Sequence, residues 1–229
     1  MVKERVPETD EGIQSGDVVK DFNLMQKGMR DKKLLSTDDI IKSGINSGRC
    51  LEIGPGPGYL GLEWLSRTSG TELAGLEISA EMILMAEKNA SDYGMSGRAS
   101  YRNGNALDMP FSGESFDAAF SNGSLHEWEN PVQVINEIFR VLKPEGRFFI
   151  SDLKRDLIMP VFLLMKLTVK PKSMRAGLVT SVNAAYTVDE ITELMSKTEF
   201  RGSFSVSESL FGITVSGRKN NPEWSGKSL

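Results

Sequence analysis

The chain has one cysteine, one histidine and no long uninterrupted apolar run. Each scarcity removes a class of protein. A single thiol, Cys50, permits neither an internal disulfide nor a cysteine-built metal cluster. It lies in the apolar run Cys50-Leu51-Glu52-Ile53, where a small buried side chain is the ordinary reading. A single imidazole, His126, leaves a histidine-rich metal centre equally unsupported, and no metal is expected. The longest apolar stretch, Leu157 to Val169, is broken by Pro160 and Lys166 and falls short of the ~20 residues that cross a bilayer. Residues 1–17 are polar and charged, without the apolar core of a secretory signal. They are expected to be flexible, and the chain reads as cytoplasmic. Basic residues do not gather into a stripe. The net charge is -4, and Lys32-Lys33 and Lys170 to Arg175 are short clusters, so a nucleic-acid partner is not expected.

What remains is an ordinary globular composition, 39% hydrophobic and 25% charged over 229 residues. Strand-like and helix-like segments alternate through the middle of the chain, which predicts an α/β fold around a mostly parallel sheet. Strands are predicted at Cys50–Ile53, Leu73–Ile78, Ala99–Arg102, Phe116–Phe120 and Arg147–Ser151. Ser79, Asn130 with Pro131, and Thr187 are placed to start helices. Gly202–Glu208 and Gly212–Arg218 predict a closing hairpin. The expected organisation is one domain. A helical segment over 18–47 and a core over 48–152 precede an insertion over 153–186 and a final helix and hairpin over 187–219.

The glycine turn Glu52-Ile53-Gly54-Pro55-Gly56-Pro57-Gly58 follows the first strand. Glycines there let backbone N–H groups approach a ligand, because no Cβ stands in the way. The turn alone is ambiguous. Gly56 to Gly61 fits the dinucleotide fingerprint G-x-G-x-x-G, and Glu52 to Gly58 fits E-x-G-x-G-x-G. Glu77 closes the second strand near the spacing at which a carboxylate reaches ribose hydroxyls. Further on stand Gly104-Asn105-Ala106-Leu107-Asp108-Met109-Pro110-Phe111, then Ser115-Phe116-Asp117, and Arg140-Val141-Leu142-Lys143-Pro144-Glu145-Gly146.

Together and in this order, these runs resemble the core of class I S-adenosylmethionine-dependent methyltransferases, in particular the ubiquinone/menaquinone-biosynthesis type. The resemblance covers Leu51 to Ser151. It implies a Rossmann-like seven-stranded, mostly parallel sheet with an antiparallel C-terminal strand and helices on both faces. A helical lid would come from the N-terminus and the insertion after strand five. It also implies S-adenosyl-L-methionine as cofactor and S-adenosyl-L-homocysteine as product. Glu52, Gly54, Pro55, Gly56 and Gly58 would hold the methionine moiety, and Glu77 the ribose. Ile78 and Met82 would flank the adenine, with Gly104, Asn105 and Ala106 at its edge. Asn122 and Gly123 would lie beside the transferred methyl group. Many relatives have Asp where this chain has Asn105, whose amide oxygen can still accept from the adenine amino group.

A sulfonium methyl is already activated, so transfer needs chiefly an aligned nucleophile. A general base is needed only if that nucleophile must lose a proton. His126 and Tyr186 are the candidates for that role. Arg175, Asn183 and Tyr186 are candidate acceptor contacts, and Met159, Phe162, Leu163, Met165 and Leu167 a candidate apolar wall. The expected acceptor is a small molecule, and the expected assembly a monomer or homodimer. Two other readings compete: a nicotinamide-dependent oxidoreductase and a non-catalytic S-adenosyl-binding module. No tyrosine is followed four residues later by lysine, as a short-chain reductase requires.

Overall fold

A computed structural model describes residues 4–8 and 16–220. Two N-terminal helices, α1 (Gly16–Asp31) and α2 (Thr37–Lys42), precede strand β1 (Arg49–Ile53). Then follow α3 (Tyr59–Ser66), β2 (Glu72–Glu77), α4 (Ala80–Asp92), β3 (Ala99–Asn103) and β4 (Phe116–Asn122). A single 3₁₀ turn, Leu125–Glu127, leads to α5 (Pro131–Val141) and β5 (Leu142–Leu153). The insertion forms α6 (Met159–Thr168) and α7 (Met174–Ala184), and α8 (Val188–Ser196), β6 (Phe204–Glu208) and β7 (Gly212–Arg218) complete the described chain.

The predicted helix starts are built as their side chains allow. Ser79 accepts from the Met82 N–H, Asn130 accepts from the Gln133 N–H ahead of Pro131, and Thr187 with Glu190 forms a reciprocal capping box. Strand five is longer than the sequence suggests. α5 ends at Val141, ahead of Pro144 and Gly146, and the pairing with β4 begins at Phe116–Leu142 and resumes at Ala118–Arg147. The residues between are extruded as a bulge, with Glu145 at φ 67°.

The seven strands lie in the order β3-β2-β1-β4-β5-β7-β6. The first five are mutually parallel, and β7 runs antiparallel to both β5 and β6. Alternate strand residues feed the two faces, as a two-residue period requires. Leu51, Ala74, Ala119, Phe148 and Ile150 join the α5 and α8 side, where Ile135, Ile138 and Ile191 are fully buried. Cys50, Leu73, Ala118, Phe120 and Phe149 join Trp64, Leu65 and Ile40 on the other. The order reverses between β1 and β4, and at such a switch point a crevice opens outside the strands' C-terminal ends.

Candidate cofactor cleft

That crevice is an open-mouthed cavity of about 130 Å³, lined by the tips of β1, β2 and β4. Gly54 and Gly56 leave β1 with φ of 65° and 53°, a region costly for side chains. A Cβ on Gly54 would stand 2.9 Å from the Ser124 side chain, and one on Gly56 3.2 Å from the Phe22 ring. The turn is therefore bare backbone because the walls leave no room for anything larger.

Glu77 braces the turn from β2. One carboxylate oxygen accepts from the Gly56 N–H and the other from the Ser79 N–H, both at 3.0 Å. Burial raises its proton affinity, and these backbone donors oppose the rise. Glu52 is 2% exposed, its carboxyl packed against Gly61 at the start of α3. Burial pushes its pKa up to about 8; the Gly61 N–H pulls the other way, and the charge of Glu77 adds to the rise. Ile78 keeps 38% of its surface exposed on the cleft wall, where a flat ring can pack on it. The Asn105 amide oxygen accepts from the Leu107 N–H at 2.9 Å, which turns the amide nitrogen's donors outward and leaves one lone pair on the oxygen. The Asn122 amide oxygen accepts from Ser36 and Ser151, each at 2.8 Å, tying the α1–α2 connection to the tips of β4 and β5.

Of the residues expected to hold a cofactor, the structure brings Glu52, Gly54, Pro55, Gly56, Glu77, Ile78, Met82, Gly104, Asn105, Ala106, Asn122 and Gly123 around this one cleft. Gly58 stands apart. It starts α3 at φ 83° facing Tyr101, whose hydroxyl would lie 2.7 Å from a Cβ there. Its glycine serves helix packing. The cleft wall also includes Phe22, Gln26, Ser124, Glu127 and Trp128, none of them singled out in the sequence. Phe22 and Gln26 are four apart on one helix face, a spacing that could have marked them.

The structure does not place the expected catalytic and acceptor residues on this wall. His126 is 4% exposed and lies behind it. Its Nδ1 faces the Asp152 carboxylate at 2.9 and 3.0 Å, its backbone N–H donates to the same carboxylate, and Nε2 lies 3.4 Å from Glu8. Burial alone would lower its pKa, but the charge and hydrogen bond of Asp152, with Glu8 and Glu127, outweigh it and push the pKa up to about 10. Both ring nitrogens face carboxylates behind the wall, so the imidazole is held there and not presented to the cleft. Glu8, His126 and Glu127 place one polar side-chain atom each within 4.8 Å of one another around this ring. Tyr186 is covered by the Arg5 guanidinium, 4.2 Å above its ring. The Asn183 carbonyl accepts from the Val6 N–H, and Arg175 donates to the Leu167 carbonyl. Met159, Leu163 and Leu167 face outward and line no part of the cleft.

Part of the segment expected to be flexible is thus structural. Arg5 donates to the carbonyls of Ala184 (2.6 Å) and His126 (3.0 Å), pinning residues 4–8 across the insertion; residues 1–3 and 9–15 lie outside the described chain.

Charge discriminates between possible ligands. The ionisable side chains on the cleft wall are Glu52, Glu77, Glu127 and Glu129, with no lysine, arginine or histidine among the described residues. A dinucleotide's pyrophosphate would find no cationic side chain there, whereas a sulfonium would meet no charge of its own sign. The bare glycine turn, the Glu77 carboxylate and the exposed Ile78 face fit S-adenosyl-L-methionine.

Comparison with known proteins agrees. The family described as "Methyltransferase domain" matches residues 51–150. Residues 51–150 carry a methyltransferase domain. It is 27% identical over 166 residues to the ubiquinone/menaquinone biosynthesis C-methyltransferase UbiE of Geotalea daltonii, covering 69% of each chain. It is 29% identical over 152 residues to the O-methyltransferase resE of Aspergillus sclerotiorum, covering 66% of this chain and 54% of that one. The chain therefore spans about half the length of that fungal relative. In fold, it matches a SAM-dependent methyltransferase from Aquifex aeolicus with a TM-score of 0.67 at 16% identity, covering 90% of this chain and 99% of the other. The geranyl diphosphate C-methyltransferase of Streptomyces coelicolor, solved with S-adenosyl-L-homocysteine, matches at a TM-score of 0.60 and 13% identity over 80% and 75% of the two chains. A methyltransferase core with its cofactor cleft intact leaves the oxidoreductase reading without support.

Proposed function

We propose that this methyltransferase transfers the methyl group of S-adenosyl-L-methionine to a small-molecule acceptor at the end of the cleft bounded by Asn122, Gly123, Glu127 and Trp128. The supporting observation is the cleft itself: left-handed glycines, a carboxylate held at the β2 tip and acidic walls around a single cavity. Bound there, the cofactor supplies an electrophilic methyl carbon on a positively charged sulfur. In this reading Glu77 accepts from the ribose hydroxyls, Ile78 and Met82 flank the adenine, and Gly104 to Ala106 address its edge. Glu52, Gly54, Pro55 and Gly56 receive the methionine end. The chain's main contribution is alignment in a site shielded by Phe22 and Trp128.

His126 and Tyr186 stabilise the wall from behind. The proton acceptors that the cleft offers are carboxylates, and Glu127 has a raised proton affinity, burial being the larger cause and the His126 charge opposing it. A small acceptor suits a walled cavity with no basic side chain on its described surface, because nucleic acid would need phosphate contacts. Calorimetric titration with S-adenosyl-L-homocysteine and with NAD(H) tests the reading: the first should bind and the second should not. Donor consumption against acceptor panels follows. Binding of the dinucleotide alone would overturn the assignment, and binding without turnover on any acceptor would favour a non-catalytic module.

A further inference from the structure

Helix α6 is inverted for a soluble protein. Ile158, Met159, Leu163, Leu164 and Leu167 are between 49% and 67% exposed, and Val161 is its one buried side chain. Met159, Leu163 and Leu167 recur every four residues, so they form one stripe, and that stripe points away from the molecule. Large apolar side chains gathered outward mark a contact surface.

Charge narrows what the surface meets. From Leu157 to Tyr186 the sequence has no aspartate or glutamate, although the whole chain is acidic at -4. Lys166, Lys170 and Lys172 are exposed at and beyond the C-terminal end of the stripe, with no ion pair among the described residues. Other exposed groups leave the sheet at the same end. Gly212 pairs with Leu153, so the hairpin tip with Leu210 and Phe211, 54% and 48% exposed, rises beside the start of the insertion. Ser36 bonds Asn122 and Ser151, which brings exposed Lys32, Lys33 and Leu34 to the strand tips as well.

We propose that this end of the molecule docks on an anionic lipid bilayer, with the α6 stripe in the headgroup–acyl boundary and the lysines against lipid phosphates. An outward apolar stripe can bury its side chains at the headgroup–acyl boundary while lysines at its C-terminal end meet anionic lipid. A second copy of the chain is a poorer occupant, since a two-fold contact through this face would set like charges against one another. Closure over the cofactor cleft does not satisfy it either, because the stripe faces outward. This inference stands apart from the choice of acceptor.

Co-sedimentation of the full chain with vesicles tests it. Binding is expected on vesicles of equal parts phosphatidylglycerol and phosphatidylcholine, weakly on phosphatidylcholine alone, and little in about 0.5 M salt, where charges are screened within a few ångströms. A lysine near an anionic surface contributes about fivefold in partitioning, so Lys170→Glu with Lys172→Glu should weaken binding at least about 25-fold. Leu163→Asp with Leu167→Asp should abolish it. These positions are exposed, so unchanged circular dichroism and thermal unfolding should certify both variants as folded. No association of wild type with anionic vesicles would overturn the proposal. So would equal binding of wild type and both variants, or a dimer that Leu163→Asp dissociates in a protein that ignores vesicles.

Discussion

Replacing Glu77 with glutamine separates bracing from binding at the tip of β2. The carboxylate now accepts two backbone hydrogen bonds, one on each oxygen, from Gly56 and Ser79. Glutamine has the same shape but only one acceptor, so its amide nitrogen must point a donor at one of those N–H groups. Leaving a buried donor unsatisfied costs about 1–3 kcal/mol, which urea denaturation should register as a lower midpoint at unchanged slope. The same change removes the charged acceptor offered to the ribose diol. Hydrogen bonds to charged groups are worth about 1.5–3 kcal/mol, so the affinity for S-adenosyl-L-homocysteine should fall by about 10- to 150-fold in calorimetric titration. A 2′-deoxy analogue supplies the control. Wild type should bind it more weakly than the parent compound, while Glu77→Gln should distinguish the two much less. If Glu77→Gln loses stability yet binds S-adenosyl-L-homocysteine as wild type does, Glu77 braces the turn without touching the ligand, and the assigned ribose contact is wrong.

Gly61→Ala should be the most damaging single-methyl addition around the cleft. Its Cβ would overlap the Glu52 carboxyl and Leu73, and overpacking of this kind costs about 1–3 kcal/mol or more, readable as a fall in melting temperature. Glu52→Gln should behave oppositely above pH 8. A carboxyl raised from 4.5 to about 8 in the fold gives stability that is complete below pH 4.5 and is lost as pH rises through 8. The amide mimics the protonated acid, so its melting temperature at pH 9 should exceed that of wild type, and a lower value would refute the buried-acid account. His126 works with the opposite charge but the same sign. Its pKa, raised to about 10, means that its contribution is complete below about pH 6.5 and is lost as pH climbs through 10. His126→Gln should lower stability at neutral pH and flatten that alkaline loss, while turnover per bound cofactor stays near wild type. Loss of turnover at full cofactor affinity would return His126 to the list of bases.

Local signals were legible in the sequence and distant pairings were not. Ser79, Asn130 and Thr187 declare helix starts through chemistry confined to three or four residues, and each accepts the bond its position predicts. The alternation of Phe148, Phe149 and Ile150 between two cores is likewise written in neighbouring residues. The partner of His126 is not. Asp152 lies 26 positions away on β5, and Arg5 and Glu8 reach His126 from the N-terminal segment, so nothing near the histidine shows that it is captive. The insertion misled for a related reason. Its apolar residues indicate a contact surface, but only the fold reveals which way Met159, Leu163 and Leu167 face.

Helix α1 contributes Phe22 and Gln26 to the cleft wall, yet Val19 is its only fully buried residue. A wall so lightly anchored is a door whose hinge costs little to work. Polar and stacking contacts, from Asn23 to Asn89 and from Arg30 to Tyr59 and Tyr93, hold the rest of it, and such a helix is expected to open ahead of the sheet. Amide exchange along residues 16–31 would then be fast in the free protein and slowed by bound S-adenosyl-L-homocysteine. Entry to the cleft and release from it would then pass by Phe22 and Gln26.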